Sequence, residues 1–229
     1  MDRKKAIRLA AIIGALIGAG AVRFDLRPFL ARFPFLAFDK ALMSHRSLWI
    51  VCLAGWLILS VYWEIAAVKT AAAESIESGT SRGVHVFLVS LAQVLVLIPI
   101  RGLGRAWPVS VPLMAIGLAV ETAGLGVAFW ARLHLGQNWS GRIAVKVEHQ
   151  LIRSGPYGLM RHPIYTGVLA MYLGSAVVTG EWLAMIGLAI VGLAYWRKIR
   201  LEEAMLDAAF GLDYEAYRRT TKGLVPGMF

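Results

Sequence analysis

Long apolar blocks bounded by basic residues constrain this chain more than any other feature. They cover residues 6–22, 48–68, 84–100, 109–131, 163–178 and 182–196. A helix needs about 20 largely apolar residues to cross a hydrocarbon core about 30 Å thick. Backbone polar groups in lipid must be paired within the segment, so each block is expected to be helical. The alternating strands of about ten residues that mark a membrane barrel are absent. The first four blocks are long enough to span. The last two are shorter and separated only by Thr179, Gly180 and Glu181, which predicts a short helical hairpin. An amphipathic C-terminal helix is expected over residues 202–219. The expected fold is therefore an all-α integral membrane protein with about six apolar helical segments. Composition agrees, at 58% hydrophobic and 17% charged. Soluble domains run nearer 45–50% and about 25%.

The net charge of +10 would suggest nucleic acid as a partner in a soluble protein. Here the basic residues flank apolar blocks, where they meet membrane lipid headgroups and set orientation, so no nucleic-acid role is expected. With six spans and a cytoplasmic N-terminus, most of the 24 Lys and Arg fall on the cytoplasmic side, and both termini are expected there. Arg3, Lys4 and Lys5 precede a block interrupted by Arg8, which reads as a retained first helix rather than a cleaved leader. The stretch around Arg27-Pro28-Phe29 and Phe33-Pro34-Phe35 reads as interfacial. Cys52, the single cysteine, excludes an intrachain disulfide and reads as a small buried residue. The simplest organisation is one membrane domain, with transmembrane helices over 1–131 and a catalytic region over 132–229.

Polar chemistry gathers around the hairpin. Arg161-His162-Pro163-Ile164-Tyr165 precedes it, and Arg197-Lys198-Ile199-Arg200-Leu201-Glu202-Glu203 follows. A short hairpin returns its two ends to one place, so these stretches are expected to meet. Gly155-Pro156 and Gly158 mark a turn. Pro163 suits the first turn of a helix, and the residue before a proline is biased to extended backbone. His162 is therefore expected at a helix entrance, where free N–H groups favour an anion. Taken singly, each residue also has a plainer reading. The arginines can be interfacial anchors, His162 a structural hydrogen-bonder, and one of Glu202 and Glu203 the solvated start of the tail helix. Glu121, inside the fourth block, is expected to face the bundle interior. No metal site is expected, because His45, His85 and His134 are scattered. Gly102-Leu103-Gly104 follows no strand, so it is not a dinucleotide fingerprint.

The order Leu135-Gly136-x-x-Trp139-Ser140, His149-x-Leu151-Ile152, Gly155-Pro156-Tyr157, Arg161-His162-Pro163-x-Tyr165-x-Gly167, Glu202-Glu203 and Phe210-Gly211-x-x-Tyr214-x-x-Tyr217 resembles the isoprenylcysteine carboxyl methyltransferase family. This family lies within a wider group that includes phospholipid methyltransferases. The resemblance implies a pocket for S-adenosyl-L-methionine and a lipophilic methyl acceptor entering from the bilayer. It implies cofactor contacts at His149, Gln150, Leu151, Ile152, Tyr157, His162, Pro163, Ile164, Tyr165 and Glu202. Lys198 stands where the family has an arginine for the acceptor carboxylate, with Arg197 and Arg200 beside it. Lysine lacks arginine's bidentate fork. The tail's basic residue is replaced by Thr220, leaving Arg219 or Lys222 as substitutes, and the polar position before His149 does not align cleanly near Arg142.

A carboxylate acceptor is ionised at neutral pH and needs a cation to orient it, which Lys198, Arg197 or Arg200 could supply. An amine acceptor would need a base, for which His162, Glu202 or Glu203 are candidates. The denser basic cluster favours the carboxylate, with Glu203 completing the catalytic set. Three other readings compete: a phospholipid or other lipid N-methyltransferase, an NADPH-dependent membrane reductase sharing Arg-His-Pro-x-Tyr, and a small transporter.

Overall fold

The computed structural model describes residues 45–67, 73–75, 77–98, 103–139, 144–146 and 151–224. The block at 6–22, the interfacial stretch at 27–35, and Arg142, His149 and Gln150 lie outside the described residues. The chain divides into compact units Met1–Ala37 and Phe38–Phe229, and everything described belongs to the second.

Its elements are α1 (Arg46–Ala67), β1 (Ala73–Ser75), α2 (Gly79–Leu97), α3 (Val111–Leu135), β2 (Ala144–Lys146), α4 (Pro163–Thr179), α5 (Trp182–Phe210) and α6 (Leu212–Thr220). Helices α1, α2, α3 and α5 are long and apolar enough to cross a membrane, and α4 is a shorter apolar helix. The chain is a multi-pass helical membrane protein, as its apolar blocks require. The two short strands pair antiparallel, Glu74 opposite Val145, and join the loop after α1 to the loop after α3.

Two boundaries differ from the sequence reading. Helix α2 begins at Gly79, inside the stretch 74–83 that reads as a polar loop. Ser78 explains this: its side chain accepts the Ser81 N–H and caps the helix. The last hairpin helix does not end at Trp196 but runs 29 residues to Phe210. No glycine or proline interrupts residues 193–210, and Leu, Glu, Ala and Met there favour helix. Gly211, at φ 51°, then breaks the chain, so the expected tail helix over 202–219 is split between the end of α5 and the nine residues of α6. At about 1.5 Å per residue α5 is about 43 Å long, beyond a core of about 30 Å. Glu202 and Glu203 therefore sit on a continuous rigid rod, not at the start of a separate tail.

Helices α3 and α4 pack most intimately, because small residues line their seam. A methyl group on Gly124 would lie 2.5 Å from the Gly167 carbonyl, and one on Gly174 would lie 2.4 Å from the Gly117 carbonyl. Such close backbone approach is a recurrent way to pair membrane helices. Glu121 lies in this seam, 3% exposed, and faces the interior as expected. Its Oε2 accepts from Ser175 Oγ at 3.3 Å, and Ser175 also receives Trp56 Nε1 at 2.9 Å and the thiol of buried Cys52 at 3.4 Å. Helices α1, α3 and α4 thus meet at one polar node.

Helix α5 packs chiefly along α2 rather than along α4. The hairpin turn is pinned at its base by the loop before α3. Ala106 N–H donates to Gly180 O at 2.9 Å, and Trp182 N–H to Gly104 O at 3.1 Å. Arg105 donates to Thr179 O at 3.1 Å and pairs with buried Glu181 at 3.5 Å. Trp107 Nε1 donates to Val177 O at 3.2 Å.

Candidate active site

Tyr165 on α4 and Tyr195 on α5 are equally far in sequence from Gly180, so two helices of equal rise bring them level. Their rings meet at 4.9 Å. The same geometry brings the N-terminus of α4 to the glutamates. His162 Nε2 lies 3.2 Å from Glu203 Oε1, and Nδ1 faces Glu202 Oε2 at 3.7 Å. Tyr165 donates its hydroxyl to Glu202 Oε1, and the His162 and Tyr165 rings stack at 5.7 Å. The convergence expected from hairpin topology is present.

His162 caps α4 with φ −124° and ψ 57°, bent away from the extended backbone that proline favours, and Pro163 fills the first position. The N–H of His162 donates to Gly223 O at 3.0 Å, and that of Arg161 to Lys222 O at 2.8 Å. The chain after α6 therefore runs alongside Met160–His162 as a parallel partner. Arg161 ties this contact to α5. Its guanidinium binds Glu203 Oε1 at 2.8 Å and donates to the Thr221 carbonyl. Sequence reasoning expected Arg161 to lie near Glu202 and Glu203, with an interfacial anchor as its plainer reading when taken singly, but gave it no contact with the tail. Its role depends on the docking of the tail, which no local pattern announces.

Glu203 is thus engaged by Arg161 and His162. The basic residues of α5 part company. Arg197 donates to Ser81 Oγ of α2 at 2.9 Å. Arg200 is exposed and makes no hydrogen bond or ion pair with the described residues. Lys198, half-buried, places its ammonium 5.7 Å from the centre of the Tyr165 ring. Among the described residues it has neither a carboxylate nor a hydrogen-bond partner.

The other face is built by the turn Gly155–Gly158. Gly155 has φ 59°, and a methyl group there would lie 2.6 Å from the His134 ring. His134 bonds Ser154 Oγ at 2.9 Å and stacks on Tyr157 at 6.4 Å. Tyr157, Pro163 and Ile164 are buried, and Leu151 and Ile152 half-buried. Tyr217 donates its hydroxyl to Tyr157 O, and burial pushes its phenol up to about 12. Arg219 is exposed and pairs with Glu215, and Lys222 is also exposed.

The sequence reading counted Arg132 only among the basic loop residues that set orientation, whereas it lies in the last turn of α3. It is 3% exposed, yet its guanidinium meets carbonyls rather than a carboxylate: Gly136 O at 2.9 Å and Ala66 O at 2.8 Å. It also lies 4.3 Å over the Trp139 ring. Both carbonyls belong to helix C-termini, where the backbone dipole favours a cation. A basic residue in the last turn of α3, four before Gly136, was the available signal.

The family model for isoprenylcysteine carboxyl methyltransferases matches residues 115–208, the stretch holding α4 and the site-bearing part of α5. Protein-S-isoprenylcysteine O-methyltransferase of Schizosaccharomyces pombe is 31% identical over 102 residues, 42% of this chain and 42% of the relative. The match spans about half the length of the first relatives, in S. pombe and Oryza sativa. A solved structure of the eukaryotic intramembrane Ras methyltransferase ICMT aligns with TM-score 0.45 at 17% identity, over 98% of this chain and 94% of that one. Protein-S-isoprenylcysteine O-methyltransferase A of Arabidopsis thaliana is 30% identical over 143 residues, 61% of this chain and 71% of the relative. On that match and the family model, the chain belongs to the isoprenylcysteine carboxyl methyltransferase family.

Proposed function

We propose that the protein is an integral membrane methyltransferase using S-adenosyl-L-methionine to methylate the carboxylate of a lipophilic acceptor. One observation carries the choice of acceptor: among the described residues Lys198 is a cation without an anion, while the nearby acids and His162 are engaged with one another. A carboxylate acceptor needs that cation. An amine acceptor would need a free base, and both nitrogens of His162 already face carboxylate oxygens.

The donor set fits the cofactor. Carboxylate and aromatic faces favour a sulfonium cation, and Glu202 lies against the His162 and Tyr165 rings. Glu202, Tyr157, Tyr165 and His162 would hold it, with Leu151, Ile152, Pro163 and Ile164 as apolar walls; His149 and Gln150 remain contacts by the family resemblance alone. Bound there, the cofactor supplies an electrophilic methyl group and leaves as a neutral thioether. Lys198 holds the acceptor carboxylate and orients an oxygen for in-line attack. The paired Arg161–Glu203 keeps the end of α5 fixed against α4. Alignment of this kind can lower a barrier by about 7–11 kcal/mol in favourable cases. The acceptor's apolar chain stays in the bilayer, and the basic ends of α4, α5 and α6 face the cytoplasm with both termini.

The test is binding and transfer in detergent. S-adenosylhomocysteine should raise the melting temperature, and NADPH should not. Methyl groups should pass to a farnesyl-cysteine analogue rather than to phosphatidylethanolamine. Stabilisation by NADPH alone, or transfer only to the amine lipid, would overturn the reading.

A further inference from the structure

Tyr165 of the site comes from α4 and Tyr195, Glu202 and Glu203 from α5, but a third helix reaches the same end. Ser81 and His85 lie one turn apart at the start of α2, on the face it turns to α5. Ser81 Oγ receives Arg197 at 2.9 Å and donates to Glu77 Oε1 at 3.1 Å, and the Ser81 carbonyl also lies 3.4 Å from Arg197. The guanidinium is therefore committed to α2. His85 meets the Tyr195 ring edge-on at 5.4 Å and 83°. Tyr195 packs on Tyr165, and Lys198 stands over that same Tyr165 ring. His85 Nδ1 is shielded from solvent and unpaired, while Ala194 O lies within reach of the ring. Contact with substrate is not needed for such a group to matter, since it braces the ring on which the cation rests.

We propose that the first turns of α2 are a positioning element for the acceptor: Ser81 withdraws Arg197 from the site, and His85 braces Tyr195, so that Lys198 alone meets the acceptor's anionic group. The assignment rests on the carboxylate reading above. Arginine presents a fork that binds carboxylates in a different geometry from lysine's single charge. Adjacent on one helix, Arg197 and Lys198 would compete for one anion unless one of them were tied elsewhere. Ser81, His85 and Arg197 are thus positioning residues, and Lys198 is the contact.

The test compares binding of a farnesyl-cysteine carboxylate with binding of its methyl ester, measured by intrinsic tryptophan fluorescence in detergent. Thermal stabilisation by S-adenosylhomocysteine is measured in parallel. The unaltered protein should prefer the carboxylate. Ser81→Ala, which frees the Arg197 guanidinium to act as a second cation, should raise that preference about tenfold, the size of one hydrogen bond to a charged group. Ser81→Thr, which keeps the hydroxyl, should leave it unchanged. His85→Ala, which loosens the rings under Lys198, should instead lower the preference, whereas His85→Phe, which keeps a ring against Tyr195, should resemble the unaltered protein. Stabilisation by S-adenosylhomocysteine should be the same throughout. If the unaltered protein prefers the carboxylate and both alanine variants keep that preference unchanged, the role of α2 is wrong and the proposed function stands. If cofactor stabilisation shifts in step with acceptor preference, α2 is merely structural and the proposal fails. If the unaltered protein shows no preference for the carboxylate, both readings fail together.

Discussion

Arg161 and Lys198 are both basic residues beside one acidic pair, and their surroundings assign them opposite duties. Arg161 has a nearly buried guanidinium paired with Glu203 and bonded to tail carbonyls. Removing one partner of a buried pair leaves the other charge uncompensated, at a cost of about 3–5 kcal/mol. Arg161→Ala should therefore lower the melting temperature sharply, with or without ligand. Among the described residues Lys198 has no ion pair or hydrogen bond to abandon, so Lys198→Ala should change the unliganded melting temperature far less than Arg161→Ala. It should also raise the acceptor KM about tenfold or more while sparing S-adenosylhomocysteine binding. The reverse pattern would exchange the two roles. The meeting of His162 with Glu202 and Glu203 was legible in the sequence, because a hairpin admits little else. The division of labour among Arg197, Lys198 and Arg200 was not. Successive residues on a helix point in different directions, and which one meets α2 depends on how α5 rolls against it.

Between elements, the seam of α3 and α4 shows what glycine contributes where backbones touch. Gly124 and Gly126 are near neighbours on one helix, yet a methyl group on Gly124 would meet Gly167 O at 2.5 Å while Gly126 faces open space. Gly124→Ala should separate the helices and destabilise the protein by about 1–3 kcal/mol, the usual cost of overpacking. Gly126→Ala should be neutral or stabilising, since alanine favours helix by about 0.8–1 kcal/mol over glycine. Melting in a single detergent distinguishes them, and equal effects would remove the seam from the account. The apolar blocks made the helices readable, and their length made them membrane helices. Their partners were less readable. Apolar faces look alike to lipid and to protein, so the sequence alone did not disclose that α5 lies chiefly along α2. Nor did it extend α5 past Trp196, because charge was read as the end of the helix rather than as the end of the membrane.

For the molecule as a whole, the lone cysteine offers a direct measure of orientation. Cys52 is fully buried, so an impermeant maleimide should leave the unaltered protein unlabelled in sealed vesicles. Asp213→Cys, at an exposed position on α6, should react only from the cytoplasmic side, and Leu103→Cys, on the loop before α3, only from the opposite side. Exchange of the two patterns would invert the proposed topology. That topology rests on the distribution of lysine and arginine, a property of the whole chain that no single loop reveals.

The knot of contacts from Gly104–Trp107 to the hairpin turn carries a mechanical corollary. A pair of arms held fast at one extremity moves like a door on its hinge, with little travel near the jamb and most at the free edge. Any parting of α4 from α5 must then grow toward the opposite extremity, where Arg161 and His162 clasp Glu203 and resist it. Loosening the hinge, as Arg105→Ala would, spreads that travel over the full height of the door and blunts the leverage at the edge.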